Sequence, residues 1–136
     1  MDKKISVLVI EDEKDIRKVL EYNLESDGFK VYSAADGLEG LKIARKIKPD
    51  VILLDWIMPK MSGLEVLAEL RNDENTKDIV VIMLTAKNMM GDVSTAFANG
   101  ADDYIPKPFD GAELGKRVMS IFELFKERKT ADTTKS

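Results

Sequence analysis

The sequence predicts a doubly wound α/β fold, in which helices cover both faces of one parallel β-sheet. Short apolar runs alternate with segments whose apolar residues recur at helical spacing. The apolar runs are continuous, which is typical of parallel strands buried on both faces. Each intervening segment is long enough for a right-handed crossover helix. Five strand–helix pairs therefore form a single (βα)5 domain.

The strands are predicted from short apolar segments bounded by charge, glycine or proline. They cover residues 4–10, 31–34, 51–54, 79–84 and 104–105. In the third, four apolar residues with a β-branched start precede Asp55, and Pro59 prevents any continuation. The fourth is the most apolar and ends in Thr85. The fifth is brief and leads into Lys107, which lies between two prolines.

Each strand is followed by a segment with helical spacing and its own stop signal. The predicted helices cover residues 13–27, 38–47, 64–70, 89–99 and 110–125. Gly28, Pro49 and Gly100 end the first, second and fourth helices. The third dissolves into the polar run 71–77, and the last opens with a capping-box pattern that begins at Asp110.

The globular domain is predicted to cover residues 1–125. From Lys126 to Ser136 every residue except Ala131 is polar, which is typical of a frayed C-terminal tail or the start of a linker. At 136 residues the chain is long enough for one ordinary core, and 44% of its residues are hydrophobic.

Composition excludes several classes of function. The net charge of -4 argues against direct nucleic-acid binding by this domain. The chain has no cysteine and no histidine, so thiol chemistry, histidine bases and histidine metal ligands are excluded. No apolar run reaches membrane-spanning length and no signal-peptide core follows the first residues, so we expect a cytosolic protein.

Four predicted strands end in functional groups, which the fold gathers at one edge of the sheet. These groups are Glu11 and Asp12, Asp55, Thr85, and Lys107. Three adjacent carboxylates repel, and Mg2+ relieves the repulsion because it prefers oxygen ligands. Asp55 could then attack phosphorus, while Thr85 and Lys107 interact with phosphoryl oxygens. Without a histidine base, the site is suited to holding a phosphoryl group, and we do not expect an enzyme acting on an outside substrate.

Each of these residues alone has a simpler structural explanation. Glu11 and Asp12 fit the N-cap and first turn of a helix. Asp55 fits a turn, Thr85 an ordinary strand residue and Lys107 a solvated cation. The joint pattern favours a site, because independent accidents would not place acids, a hydroxyl and a lysine at four strand ends.

Four segments resemble the signature segments of response-regulator receiver domains of two-component signalling. They are residues 9–13, 54–59, 83–86 and 100–109. They occur in order and at suitable spacing, and the resemblance covers about residues 4–125. It implies a CheY-like, flavodoxin-like sheet with strand order 2-1-3-4-5.

The resemblance implies that Asp55 is the phosphoacceptor, which takes a phosphoryl group from a histidine kinase or phosphotransfer protein. Asp12 would be a direct Mg2+ ligand, and Glu11 would help largely through water. The main-chain carbonyl of Ile57 would be a third protein ligand.

The resemblance also implies a conformational switch. Thr85 would be the switch hydroxyl, Lys107 the lysine that pairs with the phosphoryl group, and Tyr104 the switch aromatic. The bond from Lys107 to Pro108 would be cis. Phosphorylation would repack the surface of the fourth helix, fifth strand and fifth helix, which an output domain or effector reads.

Two positions depart from the usual family pattern. Ile57 and Lys87 lie two residues beyond Asp55 and Thr85, at positions that border the path of the hydrolytic water in the family. Because the apolar Ile57 cannot orient water, we expect an aspartyl phosphate that lasts minutes or longer.

Trp56 and the run Asp102 to Tyr104 are similar to those of receivers that precede winged-helix DNA-binding domains and dimerise. Asp102, Asp103 and Arg117 match the charged dimer interface of these receivers. The fourth helix, at 92–99, has no Arg or Lys, so a monomer and a phosphorylation-dependent dimer both stay open.

Three other functions were weighed. A phosphatase of the haloacid-dehalogenase type would need a second Asp two residues after Asp55, where Ile57 stands. A flavin-binding carrier would need a Ser/Thr/Gly-rich phosphate loop after the first strand, where the chain has the charged run 11–14. A receiver-like scaffold that is never phosphorylated is the main alternative, although no site residue is missing.

Overall fold

This computed structural model describes residues 4–86 and 90–134, which form alternating strands and helices. The strands are β1 (Ser6–Ile10), β2 (Lys30–Ala34), β3 (Val51–Asp55), β4 (Val80–Ala86) and β5 (Asp103–Lys107). The helices are α1 (Lys14–Ser26), α2 (Gly37–Ile47), α3 (Gly63–Arg71), α4 (Met90–Ala98) and α5 (Gly111–Thr134). The strands form one parallel sheet in the order β2-β1-β3-β4-β5. The doubly wound fold and its strand order are therefore confirmed.

The strand register brings the carboxyl ends of the central strands level with one another. Ile10 pairs with Leu54 across β1 and β3. Asp55 pairs with Leu84 across β3 and β4. Because each strand ends near its neighbour's end, residues that follow different strands meet at one edge of the sheet.

Alternate strand residues pack into two apolar layers, one on each face of the sheet. In β3, Leu54 belongs to the layer that includes Leu67 of α3 and Ala96 of α4. Its neighbour Leu53 belongs to the layer that includes Val118 of α5. Full burial of each large apolar side chain contributes about 1.5–3 kcal/mol. Both faces of the sheet are thus covered, as continuous apolar strands require.

Local capping positions the helices that border the site edge. Ser62 accepts a hydrogen bond from the amide of Glu65 at 3.2 Å, and the Glu65 carboxylate accepts one from the amide of Ser62 at 3.1 Å. This capping box starts α3. Asp36 caps α2 through one hydrogen bond of 2.9 Å. Asp110 starts α5 by accepting from the amide of Ala112 at 3.0 Å.

The first turn of α2 differs from its predicted packing. The helical spacing of Leu38 predicts burial, but its side chain is 63% exposed. Gly37 and Gly40 face inward instead, and a Cβ on Gly40 would overlap the side chain of Ile10. Glycine makes the close approach of α2 to β1 possible, which leaves Leu38 on the outer face.

The last helix is longer than predicted. The predicted helix ends at residue 125, whereas α5 continues to Thr134. The role of residues 126–136 as a tail or the start of a linker stays a prediction. Glu, Lys, Arg and Ala in this segment are good helix formers, so a polar composition does not end the helix. At 1.5 Å per residue, α5 is about 36 Å long. Even so, no helix within the described ranges is long and apolar enough to cross a membrane.

Candidate functional site

The three predicted acidic residues meet at the carboxyl edge of the sheet. Glu11 and Asp12 directly follow β1, and Asp55 is the last residue of β3. One carboxylate oxygen from each lies within 4.8 Å of the other two. Since α1 begins only at Lys14, with Glu13 as its N-cap, Glu11 and Asp12 are not first-turn acids of that helix.

Lys107 connects the fifth strand to this acidic cluster. Its Nζ lies 3.0 Å from Oδ1 of Asp55 and 3.1 Å from Oε1 of Glu11. The peptide bond from Lys107 to Pro108 is cis, as the resemblance implies. One ammonium group therefore joins β5 to the ends of β1 and β3.

Burial dominates the electrostatics of the site. The side chain of Glu11 is inaccessible to solvent, and Asp55 is only 5% exposed. Burial raises the pKa of Glu11 to about 7, against hydrogen bonds from the Glu13 amide and Lys107, and the charge of Asp55 adds to the increase. Burial also raises the pKa of Asp55, although Lys107 opposes this.

Lys107 remains a cation despite its partial burial. Burial lowers its pKa, but hydrogen bonds and charge interactions with Asp55 and Glu11 outweigh that effect, so the net pKa is raised. One lysine supplies a single positive charge to three carboxylates, which leaves the cluster suited to a further cation.

The cluster fits a hard divalent cation. Its side-chain donors are all oxygens, and two of the three carboxylates are buried. Within the described ranges, the carboxylate of Asp12 has no hydrogen-bond or ion-pair partner and is free to coordinate. A divalent cation would offset the repulsion between the carboxylates, which adds to the effect of burial on the pKa of Glu11 and Asp55.

The two predicted switch residues lie on neighbouring strands. Thr85 is 3% exposed on β4, where it pairs with Pro106 of β5. Tyr104 is partly buried, and its ring contacts Phe97 of α4 edge to face, with centroids 6.3 Å apart. Phe97 is itself 44% exposed, whereas its helical spacing predicts a core position.

The loop after Asp55 places Ile57 at the surface beside the acidic cluster. The side chain of Ile57 is 63% exposed, while Trp56 is buried. The amide of Trp56 donates to the carbonyl of Leu84 at 3.1 Å and thereby ties the loop to β4. The metal-binding role of the Ile57 carbonyl stays a prediction, and Lys87, the other departure from the family pattern, lies outside the described residues.

The charged residues of the predicted dimer interface form contacts within the chain, and the interface itself stays a prediction. The side chain of Asp102 is 6% exposed, and its Oδ2 accepts from Nη2 of Arg71 at 3.0 Å and from the amide of Val81 at 2.9 Å. It is therefore committed to contacts within the chain. Asp103 and Arg117 lie 3.7 Å apart on the surface and already pair with each other.

Sequence reasoning missed Arg17, which contacts the loop that carries the first two acids. Its Nη1 donates to the carbonyl of Glu11 at 2.9 Å and to the carbonyl of Asp12 at 3.4 Å. The available signal was an arginine one turn into the helix that follows the acids.

Comparison with known proteins agrees with this geometry. A profile of the response regulator receiver domain matches residues 7–119. The transcriptional regulator RpaA of Synechocystis is 43% identical over 115 residues, which cover 85% of this chain and 48% of RpaA. The alkaline phosphatase synthesis regulator PhoP of Bacillus subtilis is 45% identical over 121 residues, which cover 89% of this chain and 49% of PhoP. The chain thus spans about half the length of these relatives.

A solved structure of similar size shows the same arrangement of strands and helices. The chemotaxis protein CheY4 of Vibrio cholerae superposes with a TM-score of 0.83 at 32% identity, covering 88% of this chain and 99% of CheY4. On the profile, the relatives and the fold together, the chain belongs to the response regulator receiver domain family.

Proposed function

We propose that this chain is a phospho-accepting signalling switch, in which Asp55 takes a phosphoryl group from a histidine kinase or phosphotransfer protein. The observation that supports this most directly is the cluster of Glu11, Asp12 and Asp55 within 4.8 Å, bridged by Lys107. An aspartate that is buried, beside a lysine and beside two further acids has the surroundings that a phosphorylated carboxylate requires.

The proposal includes Mg2+ as cofactor. Asp12, Asp55 and the main-chain carbonyl of Ile57 would hold it directly, and Glu11 would act largely through water. Bound Mg2+ would supply positive charge to the phosphoryl oxygens. The oxygen-only donor set and the free carboxylate of Asp12 support this choice.

The transfer itself needs positioning rather than an external base. A carboxylate oxygen of Asp55 forms the new bond to phosphorus while the bond from phosphorus to the donor nitrogen breaks, and the departing imidazole takes up a proton. Lys107 shifts its contact from the carboxylate to a phosphoryl oxygen. The hydroxyl of Thr85 donates to another oxygen. Lys107 can do this at neutral pH because its raised pKa keeps it protonated.

The phosphoryl group then selects one of two packings of the switch residues. When Thr85 moves toward the phosphoryl group, Tyr104 turns into the space that it leaves. The contact between Tyr104 and Phe97 couples this movement to α4. The changed surface of α4, β5 and α5 is what an output domain or effector protein would recognise.

The relatives support a transcriptional output. RpaA and PhoP are named as transcriptional regulators, and about half of each lies beyond the matched region. We propose that this domain passes its signal to such an output and does not contact DNA itself, given the net charge of -4. It would work in the cytoplasm, where DNA is read, and it would catalyse only its own phosphorylation and dephosphorylation.

The test is the intact mass of the full chain after incubation with acetyl phosphate and Mg2+. We expect one added phosphoryl group on the wild type and none on Asp55→Asn or in EDTA. Asp50→Asn is the matched control, because Asp50 precedes the same strand and binds Ser6 at the opposite edge of the sheet. An unmodified wild type would overturn the proposal and favour the unphosphorylated scaffold.

A further inference from the structure

Arg17, in the first turns of α1, holds the main chain from which two acids of the site project. Its Nη1 donates to the carbonyl of Glu11 at 2.9 Å and to that of Asp12 at 3.4 Å. We propose that Arg17 is a positioning residue that orients the Asp12 carboxylate for the divalent cation. This inference rests on the proposed function and names a residue to which no role was assigned.

The position of the Asp12 side chain depends on its main chain. In the part of the chain that the structure describes, no hydrogen bond or ion pair holds its carboxylate. Glu11 is different, because Oε1 binds Lys107 at 3.1 Å and Oε2 accepts from the amide of Glu13 at 3.1 Å. Glu11 is thus fixed through its side chain, whereas Asp12 is fixed through the peptide units that Arg17 holds.

Arg17 reaches these carbonyls although several carboxylates are close in sequence. Arginine commonly forms paired hydrogen bonds with Asp or Glu, and Glu13 and Asp15 lie within four residues. Yet among the side chains that the structure describes, no ion pair joins Arg17 to an acid. The guanidinium group therefore orders the loop without neutralising a carboxylate that the cation needs.

Loss of this contact should weaken metal binding more than phosphoryl transfer itself. Mg2+ requires nearly ideal octahedral geometry, so a displaced ligand costs affinity. Removing groups that orient metal ligands typically lowers affinity by about 10–100-fold. We expect Arg17→Met to bind Mg2+ about tenfold more weakly, and Arg17→Lys to recover part of the loss through one donor. At saturating Mg2+, the phosphorylation rate should return close to the wild-type value.

The first measurement is a Mg2+ titration of the full chain at constant ionic strength, followed by the emission of Trp56. Trp56 is the single tryptophan and is adjacent to Asp55. Arg45→Met is the matched control, since Arg45 lies in the last turn of α2 and pairs with Asp73 at 2.9 Å. It removes the same charge away from the acidic loop, and its Mg2+ affinity should equal that of the wild type.

The second measurement needs no metal. In EDTA, amide hydrogen exchange at residues 11–13 should be faster in Arg17→Met than in the wild type, because the loop loses its anchor. Exchange in the central strands should be unchanged. If Arg17→Met does not fold, Arg17→Lys allows the same two comparisons.

Three results would overturn the proposal: wild-type Mg2+ affinity in folded Arg17→Met, equal weakening in Arg45→Met, or unchanged exchange at residues 11–13. The proposed function is tested separately in the wild type. A wild type that binds Mg2+ but gains no phosphoryl group contradicts the switch and leaves the Arg17 comparison valid. A wild type that binds no Mg2+ overturns both.

Discussion

Glu11 illustrates how one buried carboxylate determines the pH response of the metal-free site. It is inaccessible to solvent and has two hydrogen-bond donors, Lys107 and the Glu13 amide. Those donors do not offset the loss of hydration, because the pKa still rises to about 7. The folded protein therefore keeps a proton on this group at pH values where the unfolded chain has released it.

The metal-free protein should lose stability as pH rises from about 4.5 to about 7. In that range the folded state binds more protons than the unfolded state, so the free energy of unfolding falls with pH. The raised pKa of Asp55 acts in the same direction. The contribution of Lys107 is constant there, because its pKa is raised above 10.5. Urea denaturation in EDTA across this range measures the slope.

Glu11→Gln provides the comparison for this pH dependence. Glutamine has one acceptor oxygen, so it can keep the hydrogen bond from Lys107 or the one from the Glu13 amide, and it carries no titratable group. The slope should become shallower, and a variant with an unchanged slope would assign the effect to another group. Saturating Mg2+ should likewise reduce the slope in the wild type, because the cation favours the ionised carboxylates.

Ile57 should determine the lifetime of the aspartyl phosphate. Its exposed apolar side chain lies two residues beyond Asp55 and offers no hydrogen bond to an attacking water. We expect a lifetime of minutes or longer, and about tenfold faster hydrolysis in Ile57→Asn, equivalent to roughly 1.4 kcal/mol in the barrier. Decay of the phosphorylated mass in Mg2+ buffer gives both rates. Leu38→Asn, at a similarly exposed leucine, is the control.

At the scale of single elements, α3 is anchored directly to the backbone at the end of β3, the strand that carries Asp55. The amide of Gly63, the first residue of α3, donates to the carbonyl of Trp56 at 2.9 Å. A Cβ at this position would overlap the carbonyl oxygen of Asp55 and lie 2.9 Å from Cα of Trp56. Only glycine allows α3 to approach β3 this closely, because the neighbouring main-chain atoms cannot move away by changing a rotamer.

Gly63→Ala should destabilise the protein by about 2–3 kcal/mol and slow phosphorylation of Asp55, because the strand end must shift. Gly28→Ala is the control, since a Cβ there meets nothing within 4 Å and only the φ of +93° opposes it. That change should cost about 1 kcal/mol and leave phosphorylation unaltered. Equal effects on the phosphorylation rate would contradict the proposed contact.

Arg71 links the end of α3 to the amino-terminal ends of β4 and β5, on the side of the sheet away from the acidic cluster. Its guanidinium donates to the carbonyls of Gly100, Lys77 and Ile79 at 2.7–2.9 Å and to Asp102 at 3.0 Å. Both charged side chains are largely buried. Asp102 thereby links β5 to α3 within the chain.

Arg71→Met should lower the free energy of unfolding by about 3–5 kcal/mol, because it leaves a buried carboxylate without its cation. Asp102→Asn in the same chain should recover part of the loss by removing the buried charge. Urea denaturation of the two single variants and the double variant measures this coupling. Strictly additive losses would show that the two side chains act independently.

For the molecule as a whole, the extent of the domain can be tested by truncation. The α5 side chains that pack against the sheet are Leu114, Val118, Ile121, Phe122 and Phe125. We expect deletion of residues 126–136 to change the free energy of unfolding by less than about 1 kcal/mol. Deletion from residue 120 onward removes three of the packed side chains and should cost several kcal/mol. Thermal unfolding of both chains, compared with the full chain, decides whether residues 1–125 form the domain.

The sequence by itself determined the order and type of every described element and the meeting of three acids and Lys107 at one edge of the sheet. A strand that is buried on both faces is apolar throughout, and a helix that is buried along one stripe has apolar residues at helical spacing. Both patterns are visible in the sequence, so they predict the elements. Asp55 and Lys107 were identifiable because polar groups that end buried strands have no packing role to explain them. Their convergence then follows from parallel topology alone.

Only the tertiary structure decided how these groups and their neighbours pair. Lys107 pairs with Glu11, and Arg71 pairs with Asp102. Arg17 donates to two main-chain carbonyls. These contacts depend on side-chain rotamers and on main-chain acceptors. Every residue has a main-chain carbonyl, so no sequence pattern indicates which carbonyl accepts a hydrogen bond. The length of α5 was likewise undetermined, because a polar segment is compatible with both helix and tail until its backbone geometry is known.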